Sequence, residues 1–259
     1  MIGVFDSGLG GLTVVKILQE KLPSFPVLYF GDTAHLPYGT KDPHLIREWS
    51  LQSVRWLQEQ GAKIIVIGCH TASTIAGQEL KTSFSLPVFE MTIPLLKMAR
   101  EAGKKYRLGI IGTAATIQSG FYQEALKEIS PPVFFQACPL FVPLAEENWM
   151  RKPGTKEIVE FCLRPLKEEG IEALVLACTH YPLLQEVIQE VLPGVKILNP
   201  AQQLIADLQD FLQEHPLKAD FSKKPRDRFF FSAPPYNLSV ISQAFLGREI
   251  EANILSFHD

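Results

Sequence analysis

The sequence has little net charge, few cysteines and no long apolar run. No segment reaches the roughly 18–20 consecutive apolar residues that a membrane-spanning helix needs. The formal net charge is only -3, so electrostatics give no case for binding nucleic acid or a membrane surface. The four cysteines among 259 residues are too few for a disulfide scaffold, so we expect free thiols in a reducing, cytoplasmic setting.

Short apolar runs alternate with segments of helical spacing along the chain. Hydrophobic residues make up 46% and charged residues 20%, as in a globular protein. The amino terminus, 1–6, has no basic region and no cleavage site, so we expect a first strand rather than a signal peptide. In the second half we predict one helix ending near Ile129 and a loop over 137–146. Strands that alternate with helices predict an α/β fold with mainly parallel sheets flanked by helices.

The order of strands, turns and helices begins again in the second half of the chain, which indicates an internal duplication. Ser7 has a counterpart in Thr113, and Pro37 has a counterpart in Pro143 at the same offset. We therefore expect two pseudo-symmetric domains, with the active site in the cleft between them.

The expected domain limits follow from this repeat. The first α/β domain comprises residues 1–94 with 205–259, and the second comprises residues 95–204. The carboxyl-terminal tail adds strands and a helix that have no counterpart at the end of the second half, so we expect it to complete the first domain. The charged segment 218–226 is expected to be a solvated connection.

Cys69, in the first domain, and Cys178, in the second, most need an explanation. Each follows a fully apolar run, residues 64–67 and 173–177, which is typical of a buried parallel strand. Ligands bind outside the carboxyl ends of such strands. Related halves would place the two thiols opposite each other across the cleft. Cys162, within a helical pattern, is instead expected in the core.

Two opposed thiols could form a disulfide, hold a metal or transfer protons. The reducing setting disfavours a disulfide. Cys69, His70, Cys178 and His180 could ligate zinc, but they lack the spacing typical of structural zinc sites. In proton transfer, a thiolate removes a proton from one face of a carbon and a thiol supplies one to the other face, which inverts the carbon without a cofactor. One thiol must then be ionised and the other protonated, and a cation or a helix start just after each cysteine would help.

The glycine-rich turn after the first strand has two interpretations. Gly8, Gly10 and Gly11 follow Asp6 and Ser7, and such a turn could bind a dinucleotide or a phosphate, but the full G-x-G-x-x-G pattern is missing. In the other interpretation, Asp6 meets a substrate ammonium or assists the adjacent thiol. Ser7 would then donate a hydrogen bond to a carboxylate.

Two further features point to an amino-acid ligand. Backbone amides at Tyr38 and Gly39 could bind a carboxylate, although proline and glycine mark turns anyway. His180 lies two residues after Cys178 and is the better candidate for an acid–base assistant. The other histidines are expected at the surface: His35, His44, His215 and His258.

Several segments resemble the cofactor-independent glutamate racemases of bacteria, in the aspartate/glutamate racemase superfamily. The matching segments are residues 5–14, 31–33 with 37–39, 69–73, 112–113 with 116, 142–146 and 178–182. They are spread over most of the chain and thin out after about Pro200. The chain departs from the family at Cys69-His70-Thr71, where the family pattern is Cys-Asn-Thr and the asparagine contacts the substrate.

The resemblance implies an isomerase that makes D-glutamate for peptidoglycan, with no cofactor and no metal, often as a homodimer. It implies Cys69 and Cys178 as the acid/base pair, with Asp6 assisting Cys69. His180 and Glu146 would assist Cys178, and Asp32 would have a minor supporting role. The expected substrate contacts are Asp6, Ser7, Pro37, Tyr38, Gly39, His70, Thr71, Thr113, Thr116, Thr179 and His180.

Because His70 stands where the family has asparagine, the identity of the substrate stays open. It could bind a carboxylate, lower the pKa of the neighbouring thiol as a cation, or obstruct glutamate. The nearest alternative function is a racemase of aspartate or another small amino acid. The alternative from another class is a non-catalytic amino-acid-binding or regulatory relative that kept the cleft and lost turnover.

Overall fold

A computed structural model of the chain describes residues 1–216 and 226–255. The predicted solvated connection, 218–226, lies outside the described residues except for Arg226, and His258 also lies outside them. Among the described residues, no helix has both the length and the apolar character that crossing a membrane requires.

The described residues form ten strands in two sheets, and all pairings between neighbouring strands are parallel. In chain order the strands are β1 (Ile2–Asp6), β2 (Val27–Gly31), β3 (Ile64–Ile67), β4 (Val88–Glu90), β5 (Leu108–Gly112), β6 (Phe134–Ala137), β7 (Ala173–Ala177), β8 (Lys196–Leu198), β9 (Arg228–Phe231) and β10 (Ala252–Ile254). The order is β10-β9-β2-β1-β3-β4 in one sheet and β6-β5-β7-β8 in the other. In each sheet the first strand lies between the second and the third, and the fourth lies beyond the third. The predicted α/β class with parallel sheets is confirmed.

Helices cover both sheets. They are α1 (Leu12–Lys21), α2 (Pro43–Glu59), α3 (His70–Ser83), α4 (Thr92–Gly103), α5 (Ala114–Gln118), α6 (Phe121–Ala125), α7 (Phe141–Glu146), α8 (Thr155–Glu168), α9 (Gln185–Val191), α10 (Pro200–Glu214) and α11 (Leu238–Leu246), with single 3-10 turns at Tyr38–Thr40 and Tyr181–Leu184. We call β1–β4, β9, β10, α1–α3, α10 and α11 the first lobe. The second lobe comprises β5–β8 and α4–α9. The limits of the two expected domains stay a prediction.

Two local predictions in the second lobe were wrong. The expected loop over 137–146 contains α7, because Phe141, Val142, Leu144 and Ala145 form an apolar face that is buried, and Pro143 is tolerated in a first turn. The single helix expected to end near Ile129 is instead divided into α5 and α6. Gly120 separates them with a left-handed φ of 69°, a conformation that glycine adopts without a steric penalty.

The central strands carry the site. Every residue of β1, β2, β3, β5 and β7 is buried, because helices cover both faces of each sheet. Asp6 ends β1, Thr113 directly follows β5, Cys178 directly follows β7, and Cys69 comes two residues after β3. The carboxyl ends of these strands bring the four residues to the seam between the lobes.

The carboxyl-terminal tail adds its strands to the first sheet. Strand β9 pairs with β2, and β10 pairs with β9. The rings of Phe229 and Phe231 pack on Tyr29, with ring centroids 6.0 and 5.8 Å away. Asp227 accepts a hydrogen bond of 2.9 Å from the backbone N–H of Val27. Apolar contacts and parallel strand pairing therefore join the tail to the first lobe.

Removing a ring from this contact should destabilise the fold. Phe231 is fully buried, and Phe231→Ala should lower the free energy of unfolding by about 3–5 kcal/mol, because it leaves a cavity beside Tyr29. The matched control is Phe161→Ala on α8, where the ring is 68% exposed and the change should stay within about 0.5 kcal/mol. Urea denaturation followed by circular dichroism measures both, and equal losses would contradict the packing described here.

Candidate active site

A small cavity lies at the seam between the two lobes. Its volume is about 30 Å³, room for only a few water molecules, since one water needs roughly 10–15 Å³ on this measure. Its lining comprises Ser7, Gly8, Leu36, Pro37, Tyr38, Gly39, Cys69, His70 and Thr71 from the first lobe, and Thr113, Val142, Glu146, Cys178, Thr179 and His180 from the second. Both of the singled-out cysteines therefore face one shared cavity, which the lobes close around.

Cys69 sits at the amino end of α3, as the sequence indicates. Its Sγ accepts from the backbone N–H of Ala72 at 3.5 Å, and its thiol donates to Ser7 Oγ at 3.3 Å. Burial, followed by the nearby carboxylate of Asp6, raises the pKa of the Cys69 thiol to about 12, although the bonds to Ser7 and Ala72 act in the opposite direction. The expected help from the helix start is present but too weak to offset burial, so Cys69 is a protonated thiol at neutral pH.

Cys178 has a different environment. The prediction that a helix starts just after this cysteine was wrong, because the 3-10 turn Tyr181–Leu184 follows it and α9 begins only at Gln185. Its partner is instead His180, whose Nδ1 lies 3.8 Å from Sγ. The sulfur of Cys178 therefore has an imidazole beside it, in place of a helix amino terminus.

His180 links Cys178 to Glu146. Its Nε2 lies 3.0 Å from Glu146 Oε1. Burial lowers the pKa of His180, but the hydrogen bonds to Cys178 and Glu146 and the charges of those two groups outweigh it and raise this pKa to about 10. At neutral pH the ring is therefore an imidazolium, which stabilises a neighbouring thiolate by charge.

Asp6 lies behind the cavity and does not line it. The carboxylate is fully buried. It accepts hydrogen bonds from the backbone N–H of Gly8 at 2.9 Å and from the hydroxyl of Thr179 at 3.4 Å. Burial raises the pKa of Asp6, while the charge of His180 and the backbone N–H groups of Gly11 and Gly8 oppose that rise. Its position places a carboxyl group near Cys69 and His180 without direct access to the cavity.

Three threonine hydroxyls form a triangle across the seam. Thr71 Oγ1 lies 3.0 Å from Thr113 Oγ1 and 3.1 Å from Thr116 Oγ1, and the last two are 2.9 Å apart. Thr71 and Thr113 line the cavity, whereas Thr116 is fully buried and lies outside the lining. The triangle joins α3 of the first lobe to α5 of the second.

The buried carboxylate of Asp32 forms hydrogen bonds with several side chains, among them that of Tyr38. It accepts from the hydroxyl of Tyr38 at 2.6 Å and from that of Ser232 at 2.6 Å. His35 Nδ1 lies 2.9 Å from the same carboxylate, and the ring stacks on Trp49 with centroids 4.1 Å apart. The carboxylate and the indole cover His35 only in part, since its side chain is still 36% exposed, and the prediction of a surface residue holds in part.

His70 is a neutral ring at the seam. Its Nδ1 lies 3.2 Å from the hydroxyl of Tyr122, on α6 of the second lobe. Burial lowers the pKa of His70 to about 3, so the suggested cationic form, which would lower the pKa of Cys69, is excluded at neutral pH. His70 lines the cavity as a neutral imidazole.

Some contributing residues were absent from the sequence-based predictions. Gly8, Leu36 and Val142 line the cavity and are sequence neighbours of predicted residues, so proximity in the chain could have indicated them. Tyr122 and Ser232 carried no local signal, because each reaches the site through a contact between segments distant in the chain.

The other cysteines lie away from the cavity. Cys138 and Cys162 belong to the buried core of the second lobe, as expected for Cys162. All four cysteines are free. Within residues 1–216 and 226–255, no group of three or more histidine, cysteine, aspartate and glutamate side chains is placed to hold a metal ion.

A larger open depression of about 1110 Å³ lies at the outer edge of the first lobe. Arg226, Arg228 and Arg248 line it together with Asp227 and Glu249. Arg248 pairs with Asp227 at 3.0 Å, so cations and anions alternate and no uniform charge results. It is also distant from both catalytic candidates, and the small cavity at the seam is the better candidate for the active site.

Comparisons with known proteins identify the family of the chain. Residues 12–208 match the Asp/Glu/Hydantoin racemase family. Glutamate racemase of Aquifex aeolicus is 40% identical over 255 residues, which cover 98% of this chain and 97% of the relative. Glutamate racemase of Geobacter metallireducens is 38% identical over 252 residues, covering 96% of this chain and 93% of the relative.

Solved structures give the same result. Glutamate racemase from Francisella tularensis, in complex with D-glutamate, matches with a TM-score of 0.90 and 33% identity over 98% of this chain and 97% of that one. The enzyme from Thermus thermophilus, in complex with β-chloro-D-alanine, matches with a TM-score of 0.87 and 36% identity over 99% and 96%. The resemblance that the sequence motifs indicate is confirmed: the chain belongs to the Asp/Glu/hydantoin racemase family.

Proposed function

We propose that this chain is a glutamate racemase that interconverts L- and D-glutamate by a two-base mechanism, with Cys69 and Cys178 as the bases. The observation that carries the proposal is one closed cavity with a thiol from each lobe in opposite electrostatic surroundings. The names of the relatives, and the D-glutamate complex of one of them, support glutamate as the substrate.

The two environments suit opposite tasks. Beside the imidazolium of His180, Cys178 is the thiolate that removes the α-hydrogen as a proton and leaves a planar carbanion. Cys69, held as a thiol, donates its proton to the opposite face of that carbon. The product is the mirror image of the substrate. After the step, Cys178 is the thiol and Cys69 is the thiolate. Proton exchange with water resets the pair, and the reverse reaction uses the exchanged protonation pattern.

The remaining lining residues suit a polar amino acid. The hydroxyls of Ser7, Thr71, Thr113 and Thr179 and the amides of Tyr38 and Gly39 supply donors for two carboxylates. Other proposed contacts are Pro37, His70 and His180. Thr116 acts through the threonine triangle, because it does not reach the cavity itself.

Asp6 and Glu146 complete the proposed machinery as positioning residues. Asp6 supplies negative charge near Cys69 and an acceptor for Thr179, and it faces the substrate ammonium across Ser7 and Gly8. Glu146 holds His180 in its charged form through the 3.0 Å contact with Nε2. Glu146 therefore acts on Cys178 through His180, whereas Asp6 acts on Cys69 through its charge.

The small cavity indicates how substrate enters. A volume of about 30 Å³ is too small for an amino acid with two carboxylates, so the lobes must separate before binding. We further propose that the product D-glutamate supplies peptidoglycan synthesis and that the enzyme works in the reducing cytoplasm, where both thiols stay free. A homodimer stays a prediction from the resemblance.

Replacing either cysteine of the pair should abolish racemisation. Cys69→Ala and Cys178→Ala should each lower the rate by about 10²–10⁴-fold, because each removes one of the two proton-transfer groups. The measurement is circular dichroism with L-glutamate, together with deuterium incorporation at the α-carbon. Cys162→Ala is the matched control and should keep full activity. Faster turnover of L-aspartate than of L-glutamate would identify aspartate as the substrate. No turnover of either amino acid by the wild-type protein would support the binding-only alternative.

The two thiols should differ in reactivity. Both cysteines are 6% exposed, and the thiolate is the reactive form. At pH 7.5 iodoacetamide should modify Cys178 faster than Cys69, whose pKa is raised to about 12. His180→Gln should slow modification of Cys178 about tenfold. Peptide mapping by mass spectrometry measures both rates, and faster modification of Cys69 would overturn the assigned protonation states.

A methyl group at Gly10 should prevent closure of the lobes. A Cβ there would overlap Thr179 Oγ1 and lie 2.5 Å from His180 Cε1, both in the second lobe. Gly10→Ala should therefore lower kcat/KM at least tenfold while the protein stays folded. In the control, Gly77→Ala, the Cβ meets Glu90 at an ordinary 3.5 Å and activity should be unchanged. Equal activity in both variants would show that this contact does not matter.

A further inference from the structure

The bond between His70 and Tyr122 has one consistent arrangement of hydrogens. Tyr122 is fully buried, and among the described residues its hydroxyl has His70 Nδ1, at 3.2 Å, as its hydrogen-bond partner. If Nδ1 were the donor, the phenolic hydrogen would have no acceptor. A buried donor without a partner carries a penalty that proteins avoid. Tyr122 therefore donates, and Nδ1 accepts.

The tautomer of His70 follows from this. A neutral imidazole carries one hydrogen, so a ring whose Nδ1 accepts has its hydrogen on Nε2. The ring is neutral because burial lowers its pKa to about 3. Nε2 is consequently a hydrogen-bond donor and cannot act as an acceptor.

The cavity is the place where this donor is available. Nε2 has no hydrogen-bond partner within residues 1–216 and 226–255, yet it is not among the buried polar atoms there that lack one, which are Ser50 Oγ and Gln123 Oε1. It therefore keeps some accessible surface, and the ring lines the cavity together with Cys69 and Thr71. A donor at that point suits a carboxylate oxygen of a bound amino acid.

We propose that Tyr122 is a positioning residue that fixes the Nε2–H tautomer of His70, so that this ring donates a hydrogen bond to a substrate carboxylate. The inference rests on the proposed function for the identity of the ligand, whereas the tautomer itself does not depend on it. Tyr122 reaches the site across the seam from α6, so the donor is oriented only when the lobes are closed. The site then binds the carboxylate with a neutral donor and adds no positive charge beside Cys69.

Nitrogen-15 NMR of histidine-labelled protein tests the tautomer directly. The His70 signals are assigned as those lost in His70→Asn. In wild type, Nε2 should carry the hydrogen and Nδ1 should be bare, and in Tyr122→Phe the ring should become a mixture of tautomers. A hydrogen on Nδ1 in wild type would overturn the proposal. This arm needs no turnover, so it decides the tautomer even if the chain fails to racemise glutamate.

Steady-state kinetics with glutamate tests the role in binding. Tyr122→Phe should raise KM about fivefold, the equivalent of one hydrogen bond, with kcat within twofold. In the His70→Asn background the same substitution should change KM less than twofold, because no imidazole remains to orient. The structural effect of losing the hydroxyl is the same in both backgrounds. The positioning role would be overturned if Tyr122→Phe raised KM equally in both backgrounds, or if it did not raise KM in the wild-type background.

Discussion

The removal of two thiols from water, at the seam between two sheets, is the constraint on which this site depends. Burial alone makes a thiolate unfavourable, and Cys69, whose pKa rises to about 12, shows this effect. Cys178 is equally buried but has His180 beside it. The imidazolium persists in a buried place because Glu146 lies 3.0 Å away on its other side. The contacts from Cys178 to His180 and from His180 to Glu146 thus give one thiol a cationic neighbour that the other lacks.

Closure of the lobes maintains this difference. Thr13 Oγ1 donates to the backbone carbonyl of Thr179 at 2.9 Å, and Thr71 lies 3.0 Å from Thr113. These contacts join the first lobe to the second beside the cavity and separate it from bulk water. Electrostatic interactions strengthen in such a low-dielectric site. The same closed seam that tunes the thiols leaves no room for an amino acid, so opening and chemistry require different arrangements of the lobes.

The strands and the residues at their ends were predictable from local patterns. Apolar runs such as 64–67 and 173–177 form buried parallel strands because only strands covered on both faces are apolar throughout. Cys69 and Cys178 could be placed in one cleft because the halves repeat. By contrast, α7 was missed, because Cys138-Pro139 and Pro143 read as turn signals. The partial burial of His35 also escaped prediction, since Asp32 and Trp49 cover it only in the folded chain.

The order of residues was sufficient to determine the α/β class, the duplicated halves, the cysteine pair and the motifs that mark the family, because these depend on periodicity and on residue identity. It could not assign the protonation states of Cys69 and His180. Those depend on burial and on contacts between distant segments, such as Asp6 with Thr179 and His180 with Glu146. The same holds for His70, whose neutral form and hydrogen position follow from a tyrosine brought across the seam by folding.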